Sequence, residues 1–460
     1  MKKFDLNIEK VLEHWEVSHA VREVIANALD EQALTKTKEI KIWADNSKIW
    51  HIRDFGRGIR YEHLTQNENQ EKLDHTDLVF GKFGVGLKDA LATLDRHKIG
   101  ILIKSKYGGI TLGKSSKAGF EDIVTLHAFI DDPSDKKMEG TEFIFKGLKD
   151  DDIKLAKEFF LKFSDESLLE KTEFGQVLKK GKTAKIFING MRIAIEDNFL
   201  FSYNITSLTK IMRKALNRER TNVGRVAYSE RIKAILLECR TKEVAELLVN
   251  DLKDFETGKA HDELNWIDVS VHACRLLNSK EEVIFLTPFE LVEYKEMVDR
   301  AKNDGLKIVT IPESVKIKIK GLKDFKGNTI RELDTYKTEW NRSFEYKFVK
   351  EKDLSRHERE IFGKTDKIFK LIGGRPKIIK QILISKTMRM ENIGFREAVG
   401  VWEEESKRII IKIDQLRDLK SYAGTLLHET AHATSGASDI SGDFELELTE
   451  TIGTITDNTL

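Results

Sequence analysis

The feature that most constrains this chain is a helical segment over residues 17–34 that carries polar groups on one side and apolar groups on another. No Gly or Pro interrupts it, and apolar residues recur at helical spacing over 21–29. Because successive residues turn by about 100°, Glu23, Asn27 and Asp30 fall within one narrow arc. Two carboxylates and an amide facing one space suit a hydrated Mg²⁺ beside substrate phosphates. A solvated acidic face is the alternative for this segment alone.

A second segment, Asp54-Phe55-Gly56-Arg57-Gly58, follows a strand-turn-strand pattern over residues 40–52 that delivers Asp54 to a strand end. Gly56 and Gly58 allow the backbone to approach a ligand closely. A buried Asp54 carboxylate there can accept a hydrogen bond from an exocyclic amine such as that of adenine. An ordinary glycine-rich turn is the alternative.

A third segment, Gly81-Lys82-Phe83-Gly84-Val85-Gly86, precedes a helical stretch over 87–94. Glycines expose backbone N–H groups, and the helix that follows offers the positive end of its dipole, so this arrangement is typical of a phosphate site. We expect the site to be lined by Gly81, Lys82, Gly84, Val85 and Gly86. Such a glycine pattern alone is common. The order of the three segments is what predicts an ATP site.

The stretches REVIANALDE, RDFGRG and GKFGVGLKDA resemble the N, G1 and G2 boxes of the GHKL ATPases, which include gyrase, heat-shock chaperones, MutL and the MORC proteins. Gly140-Thr141 resembles a later Gly-Thr element of the same group. The resemblance covers about residues 1–150 and implies a Bergerat-type α/β sandwich. It implies that Glu23 orients the attacking water, Asn27 binds magnesium and Asp54 reads adenine, with Asp30, Gly56, Gly58 and Thr141 completing the site. It also implies dimerisation on ATP.

At the other end of the chain, the motif His428-Glu429-Thr430-Ala431-His432 predicts a zinc site. On a helix, His428 and His432 are one turn apart and their imidazoles can converge on one ion. Glu429 lies beside them and can act as the general base of a metallopeptidase. A strand hairpin over 398–413 precedes this helix, as in the zincin metallopeptidases, where an edge strand holds extended substrate. The alternative is a helix whose two histidines are hydrogen-bonded within the protein and bind no metal.

The third zinc ligand follows less directly from the sequence. Gly436 and Asp439 lie one residue later than the metzincin pattern requires, which disfavours that subfamily. We therefore expect Glu445, on a new helix that begins after residue 442, as the third ligand of a gluzincin-like site. Asp439 is the second choice and Glu447 the third.

Composition sets limits on the rest of the chain. The 78 basic and 77 acidic residues leave a net charge of +1, which disfavours a dedicated nucleic-acid binder. Cys239 and Cys274 stand in no metal or redox spacing, which fits a reducing cytoplasm. With no apolar signal core and no run of transmembrane length, we expect a cytoplasmic protein that does not enter a membrane.

The chain is long enough for several domains, and we expect an α+β multidomain protein. The predicted division is 1–150 for the ATP-binding domain, 151–250 for a transducer-like α/β domain, 251–330 for a small α/β connector and 331–460 for a zincin-like domain. In the second, one of Arg218, Arg220 and Arg225 is a candidate contact for the γ-phosphate, as in the transducers of GHKL ATPases. A solvated basic turn is the alternative.

Together these patterns predict a regulatory protein that binds and hydrolyses ATP with Mg²⁺ and gates a zinc-dependent peptidase acting on a protein or peptide substrate. Its architecture suggests a prokaryotic stress or anti-phage response. The alternative is a chaperone-like or MORC-like ATPase that clamps a protein or nucleic-acid partner, with the HETAH helix purely structural.

Overall fold

The computed structural model describes residues 2–6, 13–65, 79–80, 86–117, 119–216, 223–391 and 395–460. The chain divides into two compact units, Met1–Ala273 and Cys274–Leu460. Helices and several separate β-sheets occur along its length. The predicted mixed α and β multidomain class is therefore confirmed.

The first unit contains a seven-stranded sheet in which each pair of neighbouring strands is antiparallel. Its strands are β1 (Lys2–Asp5), β2 (Lys41–Ala44), β3 (Trp50–Arg53), β4 (Gly100–Ser105), β5 (Gly108–Lys117), β6 (Phe120–Asp131) and β7 (Thr141–Lys146). Their order across the sheet is β1-β6-β5-β4-β7-β3-β2. Because Arg53 pairs with Glu142, residue 54 leaves β3 beside the start of β7.

Among the described residues, three helices pack with this sheet, and they are α1 (Val17–Thr35), α2 (Gly86–Arg96) and α3 (Asp150–Lys157). Helix α1 begins at Glu16, whose side chain forms a reciprocal capping box with His19, and ends at Lys36, which has a φ of 52°. Its apolar stripe is fully buried, with Val21, Val24 and Ile25 all 0% exposed. Each such side chain contributes about 1.5–3 kcal/mol, so the stripe fixes which side of α1 faces the core.

A five-stranded sheet follows in the first unit, with the order β11-β10-β12-β9-β8. Its strands are β8 (Ser167–Lys171), β9 (Gly175–Lys179), β10 (Ala184–Ile188), β11 (Met191–Glu196) and β12 (Phe201–Ile205). The turn between β10 and β11 has φ values of 48° at Asn189 and 89° at Gly190, as expected for an Asn-Gly hairpin. The helices that follow are α4 (Lys210–Ala215), α5 (Arg225–Glu238), α6 (Lys242–Asp251) and α7 (Ile267–Lys280).

The second unit contains a parallel strand pair, β13 (Val283–Leu286) and β14 (Lys307–Thr310). Two short helices, α8 (Pro288–Glu293) and α9 (Lys295–Asn303), connect the strands. Strands and helices together form a β-α-β unit whose helical part is divided at Tyr294, where φ and ψ are −111° and 42°. Helices α10 (Glu313–Ile319) and α11 (Leu333–Ser343) follow.

The second unit also contains a four-stranded sheet with the order β15-β16-β18-β17. Its strands are β15 (Phe348–Val349), β16 (Gln381–Ser385), β17 (Gly400–Glu403) and β18 (Arg408–Lys412). Strands β17 and β18 form the predicted antiparallel hairpin, and Ile409 and Ile411 of β18 belong to one core with Tyr422 and Leu426. The helices of this region are α12 (Arg356–Phe362), α13 (Thr365–Leu371), α14 (Leu419–Ser435) and α15 (Gly442–Thr459).

Each of the four sheets that the structure describes falls inside one of the four predicted segments, while the chain separates into two compact units. The finer four-way division stays a prediction. Over the parts of the chain that the structure describes, no helix is both long enough and apolar enough to cross a membrane.

Candidate functional site

The HETAH motif lies on α14, as its spacing predicts. This helix begins at Asp418, whose side chain accepts a hydrogen bond from the Ser421 N–H at 2.7 Å. The Nε2 atoms of His428 and His432 each lie 3.0 Å from Oδ1 of Asp439. One ligand atom from each of these three residues lies within 4.8 Å of the others. The two imidazoles therefore converge, and a carboxylate joins them.

Neighbouring groups fix the orientation of both imidazoles. Nδ1 of His432 lies 2.8 Å from the carbonyl oxygen of Ala437, which directs Nε2 of that ring toward Asp439. The buried Phe444 ring stacks on His432 with a centroid distance of 4.3 Å and meets His428 edge-on at 5.0 Å. The two imidazoles are thus held by packing against Phe444, and His432 is held in addition by the contact of its Nδ1 with the Ala437 carbonyl.

Asp439, the second choice, and not the expected Glu445 joins the two histidines. Gly436 ends α14 with a φ of 65°, and the chain then turns back so that Asp439 meets both rings. Phe444 takes the buried position at the start of α15, which turns the adjacent Glu445 out to solvent. Glu447, the third choice, accepts a hydrogen bond from the Thr434 hydroxyl at 2.6 Å instead.

The side chain of Glu429 is buried between α14 and strand β17. A β-carbon added to Gly400 would lie 2.7 Å from both Cγ and Oε1 of Glu429, so only glycine leaves room for this carboxyl. Burial raises the pKa of Glu429 to about 7, while His432 and a backbone hydrogen bond from Trp402 oppose the shift and Asp439 adds to it. A carboxyl with a pKa near neutrality is well suited to take up and release protons.

Strand β17 forms the end of the four-stranded sheet as the structure describes it. The Lys412 N–H donates to the Val399 carbonyl at 2.9 Å. In an antiparallel pair every second residue bonds to the partner strand, so Gly400 and Trp402 direct their backbone groups to the outer edge. This edge runs directly beside Glu429, where an extended peptide could add as a further strand.

The donor set fits a catalytic zinc ion. Two imidazole nitrogens and one carboxylate oxygen are the ligand types that zinc accepts, and three protein ligands leave a position for water or substrate. The buried carboxyl of Glu429 lies next to this group in sequence and in electrostatic contact with it. The arrangement can therefore combine a Lewis acid with a general base.

In the first unit, Glu23 lies against the beginning of α2. A β-carbon on Gly86 would lie 2.5 Å from Oε2 of Glu23, so the carboxylate directly contacts this glycine. Oε1 of Glu23 accepts hydrogen bonds from the buried Arg22 guanidinium at 2.8 and 3.1 Å. Asn27 is half-buried, and the fully buried Asp30 accepts a hydrogen bond from the Phe80 N–H at 2.5 Å. The predicted helix thus brings Glu23 to the start of the helix that follows the third glycine segment.

The second segment folds around Asp54 as a tight cluster of backbone contacts. Oδ1 of Asp54 accepts hydrogen bonds from the backbone N–H of Gly56 at 2.9 Å and of Thr141 at 3.2 Å. Gly140 has a φ of 75°, and a β-carbon there would lie 2.1 Å from the Asp54 carbonyl oxygen. The Thr141 hydroxyl accepts from the Ile59 N–H at 3.0 Å, just beyond Gly58, whose φ is 87°. The structure therefore brings the Asp54 and Gly140-Thr141 segments together.

Burial raises the pKa of Asp54 to about 6, against the opposing hydrogen bonds from Gly56 and Thr141. The side chain of Glu31 raises this pKa further by charge repulsion. Glu31 itself accepts from the Arg57 backbone N–H at 2.8 Å and pairs with the Arg57 guanidinium at 2.9 Å. Glu31 is a neighbour of Asp54 that the sequence analysis missed, because its position on α1 gives no sign of a partner 26 residues later.

Several predicted site residues lie outside the described part of the chain. These are Gly81, Lys82, Gly84 and Val85 of the third glycine segment, and the arginine candidates Arg218 and Arg220. Gly86 is described and is the first residue of α2. Arg225, the remaining arginine candidate, pairs with the carboxylates of Glu196 and Asp262.

The chain is similar to proteins of Mycoplasma pneumoniae. Residues 151–242 match the family model described as Mycoplasma pneumoniae MPN635 N-terminal domain. An uncharacterized protein of that organism is 36% identical over 241 residues, which is 51% of this chain and 97% of that protein. A second uncharacterized protein is 27% identical over 356 residues, covering 69% of this chain and 96% of that protein.

Proposed function

This chain belongs to the same family as the 36%-identical Mycoplasma pneumoniae protein, and we propose that it is a zinc-dependent peptidase that also binds and hydrolyses ATP. The peptidase proposal depends on one observation, the convergence of His428, His432 and Asp439 beside the buried Glu429. In this proposal the second unit ends in a zincin-like domain, and the first begins with a Bergerat-type ATPase domain. The transducer-like and connector domains between them are part of the same proposal.

His428, His432 and Asp439 would hold the zinc ion, and His432 would be kept in position by Ala437 and Phe444. When bound, zinc supplies a Lewis acid that polarises a peptide carbonyl. Glu429 takes a proton from the attacking water and passes it to the leaving amine. Its position directly after His428 and its burial against Gly400 support this role, because a general base must lie within reach of the proton that it takes.

The substrate class proposed for this site is an extended peptide. The outer edge of β17 offers the backbone groups of Gly400 and the carbonyl of Trp402, and main-chain hydrogen bonding is independent of side-chain identity. Gly400 also keeps the strand close to Glu429. A peptide bond paired with this edge would lie next to the general base.

The ATP proposal is supported by the contacts of the first unit. Asp54 is buried, and two backbone N–H groups hold its carboxyl in one orientation, as a group that reads the amine of adenine requires. Glu23 touches the first residue of α2, close to where the third glycine segment ends. We propose Glu23 as the residue that orients water, Asn27 as the magnesium ligand, and Gly56, Gly58, Gly86 and Thr141 as the remaining described contacts.

We propose further that the nucleotide state controls peptide cleavage, with ATP favouring dimerisation of the first unit. Ligand-driven closure is a common way to control a distant site. A prokaryotic stress or anti-phage response stays a prediction for the biological setting.

The zinc content of the protein and its cleavage of peptides test the proposed peptidase activity. Full-length protein purified with zinc should contain one equivalent of zinc and cleave members of a random peptide library, read by mass spectrometry. Glu429→Gln should retain zinc and lose cleavage, whereas Glu445→Gln, a matched change at an exposed position, should retain both. Zinc-free protein that cleaves no peptide but still hydrolyses ATP would instead support an ATPase clamp with a structural HETAH helix.

The ATP half and its coupling need separate measurements. Calorimetric titration with Mg-ATP should show binding that Asp54→Asn weakens, while Asp151→Asn, at the first turn of α3, serves as a control. Cleavage rates are then compared with and without a nonhydrolysable ATP analogue. Equal rates would refute the proposed gating even if both sites are active.

A further inference from the structure

The first unit contains a cavity that neither proposed site uses. It has a volume of about 600 Å³. Its apolar walls include Leu29, Ala33, Phe80 and Phe160. Pockets that hold small molecules usually measure about 300–1,000 Å³, so this cavity, which we name the α1 cavity, is large enough for one.

The α1 cavity lies on a different side of α1 from Glu23 and Asn27. At about 100° per residue, Asn27 and Asp30 lie within about 40° of Glu23 around the axis of α1. Measured the shorter way round the axis, Lys36 lies about 140°, Leu29 about 120° and Ala33 about 80° from Glu23, on the side away from Asn27. A ligand in the α1 cavity therefore does not occupy the space that Glu23 and Asn27 face.

The rim of the α1 cavity is basic. Lys36, which ends α1, is exposed and has no carboxylate partner among the residues described. Lys162 pairs with Glu39 at 3.2 Å, but the Glu39 side chain is 79% exposed, and such pairs are worth only about 0–1 kcal/mol. The carboxyl end of α1 contributes about half a negative charge, which two ammonium groups exceed. An anionic ligand group that binds Lys162 would therefore replace only the weak surface contact between Lys162 and Glu39.

Polar groups in the lining of the cavity can hold such an anion by hydrogen bonds. Gln32, Thr37 and Asn189 also line the cavity. Asn189 belongs to the β10–β11 turn, so the cavity wall combines α1 with the five-stranded sheet of the same unit. The apolar floor and the polar, basic rim together define a ligand with two chemically different ends.

We propose that the α1 cavity binds a small amphipathic organic anion. Its apolar body lies among Leu29, Ala33, Phe80 and Phe160, and its acidic group lies against Lys36 and Lys162. This site goes beyond the proposed ATPase and peptidase functions and does not depend on either.

Two fluorescent probes of similar shape test the proposal on the full-length protein. 8-Anilinonaphthalene-1-sulfonate carries an apolar ring system and one anionic group, and N-phenyl-1-naphthylamine lacks the anionic group. We expect saturable binding of the sulfonate probe at one site, weakened by added NaCl. The neutral probe should bind with an affinity that does not change with salt.

Variants then place the binding site. Ala33→Trp fills the cavity and should reduce the affinity for both probes at least about tenfold, with an unchanged thermal midpoint as evidence of folding. Lys36→Asn, which tolerates the positive φ, and Lys162→Gln should each weaken only the sulfonate probe, by about 2–5-fold. Lys38→Gln, a nearby lysine outside the cavity lining, should leave both affinities unchanged.

Two results would overturn the proposal. If Ala33→Trp folds and binds the sulfonate probe as tightly as the wild type, the site lies elsewhere. If the Lys36→Asn and Lys162→Gln variants bind the sulfonate probe as tightly as the wild type, the cavity does not select an anion. The same conclusion follows if these variants lose as much affinity for the neutral probe as for the sulfonate probe. The two lysine changes are on the surface, so this arm remains informative even if Ala33→Trp does not fold.

Discussion

Replacing Asp54 by asparagine should stabilise the nucleotide-free protein while weakening its binding of ATP. Burial raises the pKa of Asp54 to about 6 from its ordinary value of 3.8. The folded state therefore binds this proton more tightly than the unfolded state. The stabilisation that comes from this tighter proton binding is fully present below pH 3.8. It decreases as the pH rises and is absent above about pH 6. A neutral amide avoids this cost.

The size of the stability difference between the two proteins follows from the shift in the pKa of Asp54. A difference of about 2.2 pKa units at about 1.4 kcal/mol per unit gives about 3 kcal/mol in favour of Asp54→Asn at pH 8. Its advantage falls below about 1 kcal/mol at pH 4. For a unit of 273 residues this corresponds to a rise in thermal midpoint of about 5 °C at pH 8.

Differential scanning calorimetry of both proteins between pH 4 and pH 8 measures this difference. Because Oδ1 of Asp54 accepts from two backbone N–H groups, a replacing amide would keep its oxygen there and place its NH₂ at the Oδ2 position. That NH₂ would face the adenine amine, so that two donors meet and ATP affinity falls. A variant less stable than the wild type at pH 8, or a stability difference that does not change with pH, would refute the reasoning.

Three further predictions address the other contacts. Gly400→Ala places a β-carbon 2.7 Å from Glu429. We therefore expect about 1–3 kcal/mol of destabilisation in thermal unfolding and a loss of peptide cleavage. An unchanged thermal midpoint would contradict the close approach of Gly400 to Glu429. Asp439→Ala should lower zinc affinity at least about tenfold in chelator competition, whereas an equal loss in Glu445→Ala would restore Glu445 as the ligand. Glu23→Gln should reduce ATP turnover by about 10²–10⁴-fold with nearly unchanged ATP affinity, and equal turnover would remove Glu23 from the mechanism.

Local patterns in the sequence were sufficient for much of the fold. Helix α1, the Asn189-Gly190 turn, the β17–β18 hairpin and the β-α-β unit are each encoded within a short stretch of chain, by apolar periodicity and turn residues. The position of His428 and His432 on one helix follows from spacing alone. These elements could be predicted because no distant contact decides them.

The residues that the sequence analysis missed depend on contacts between elements. The expected Glu445 was displaced because the turn after Gly436 brings Asp439 back to the histidines, and residue spacing does not specify that path. Phe444 is important only because it packs on both imidazoles. Gly400 left a signal that could have been used, since a glycine inside a strand pattern often marks a close backbone approach.

We propose that three side chains of the second unit form a zinc site for peptide hydrolysis. Anomalous diffraction at the zinc edge, from crystals of the full-length protein grown with zinc, tests it most directly. We predict one strong peak within about 2.0–2.2 Å of Nε2 of His428, Nε2 of His432 and a carboxylate oxygen of Asp439. A zinc peak at other residues, or none at these three, would contradict the account.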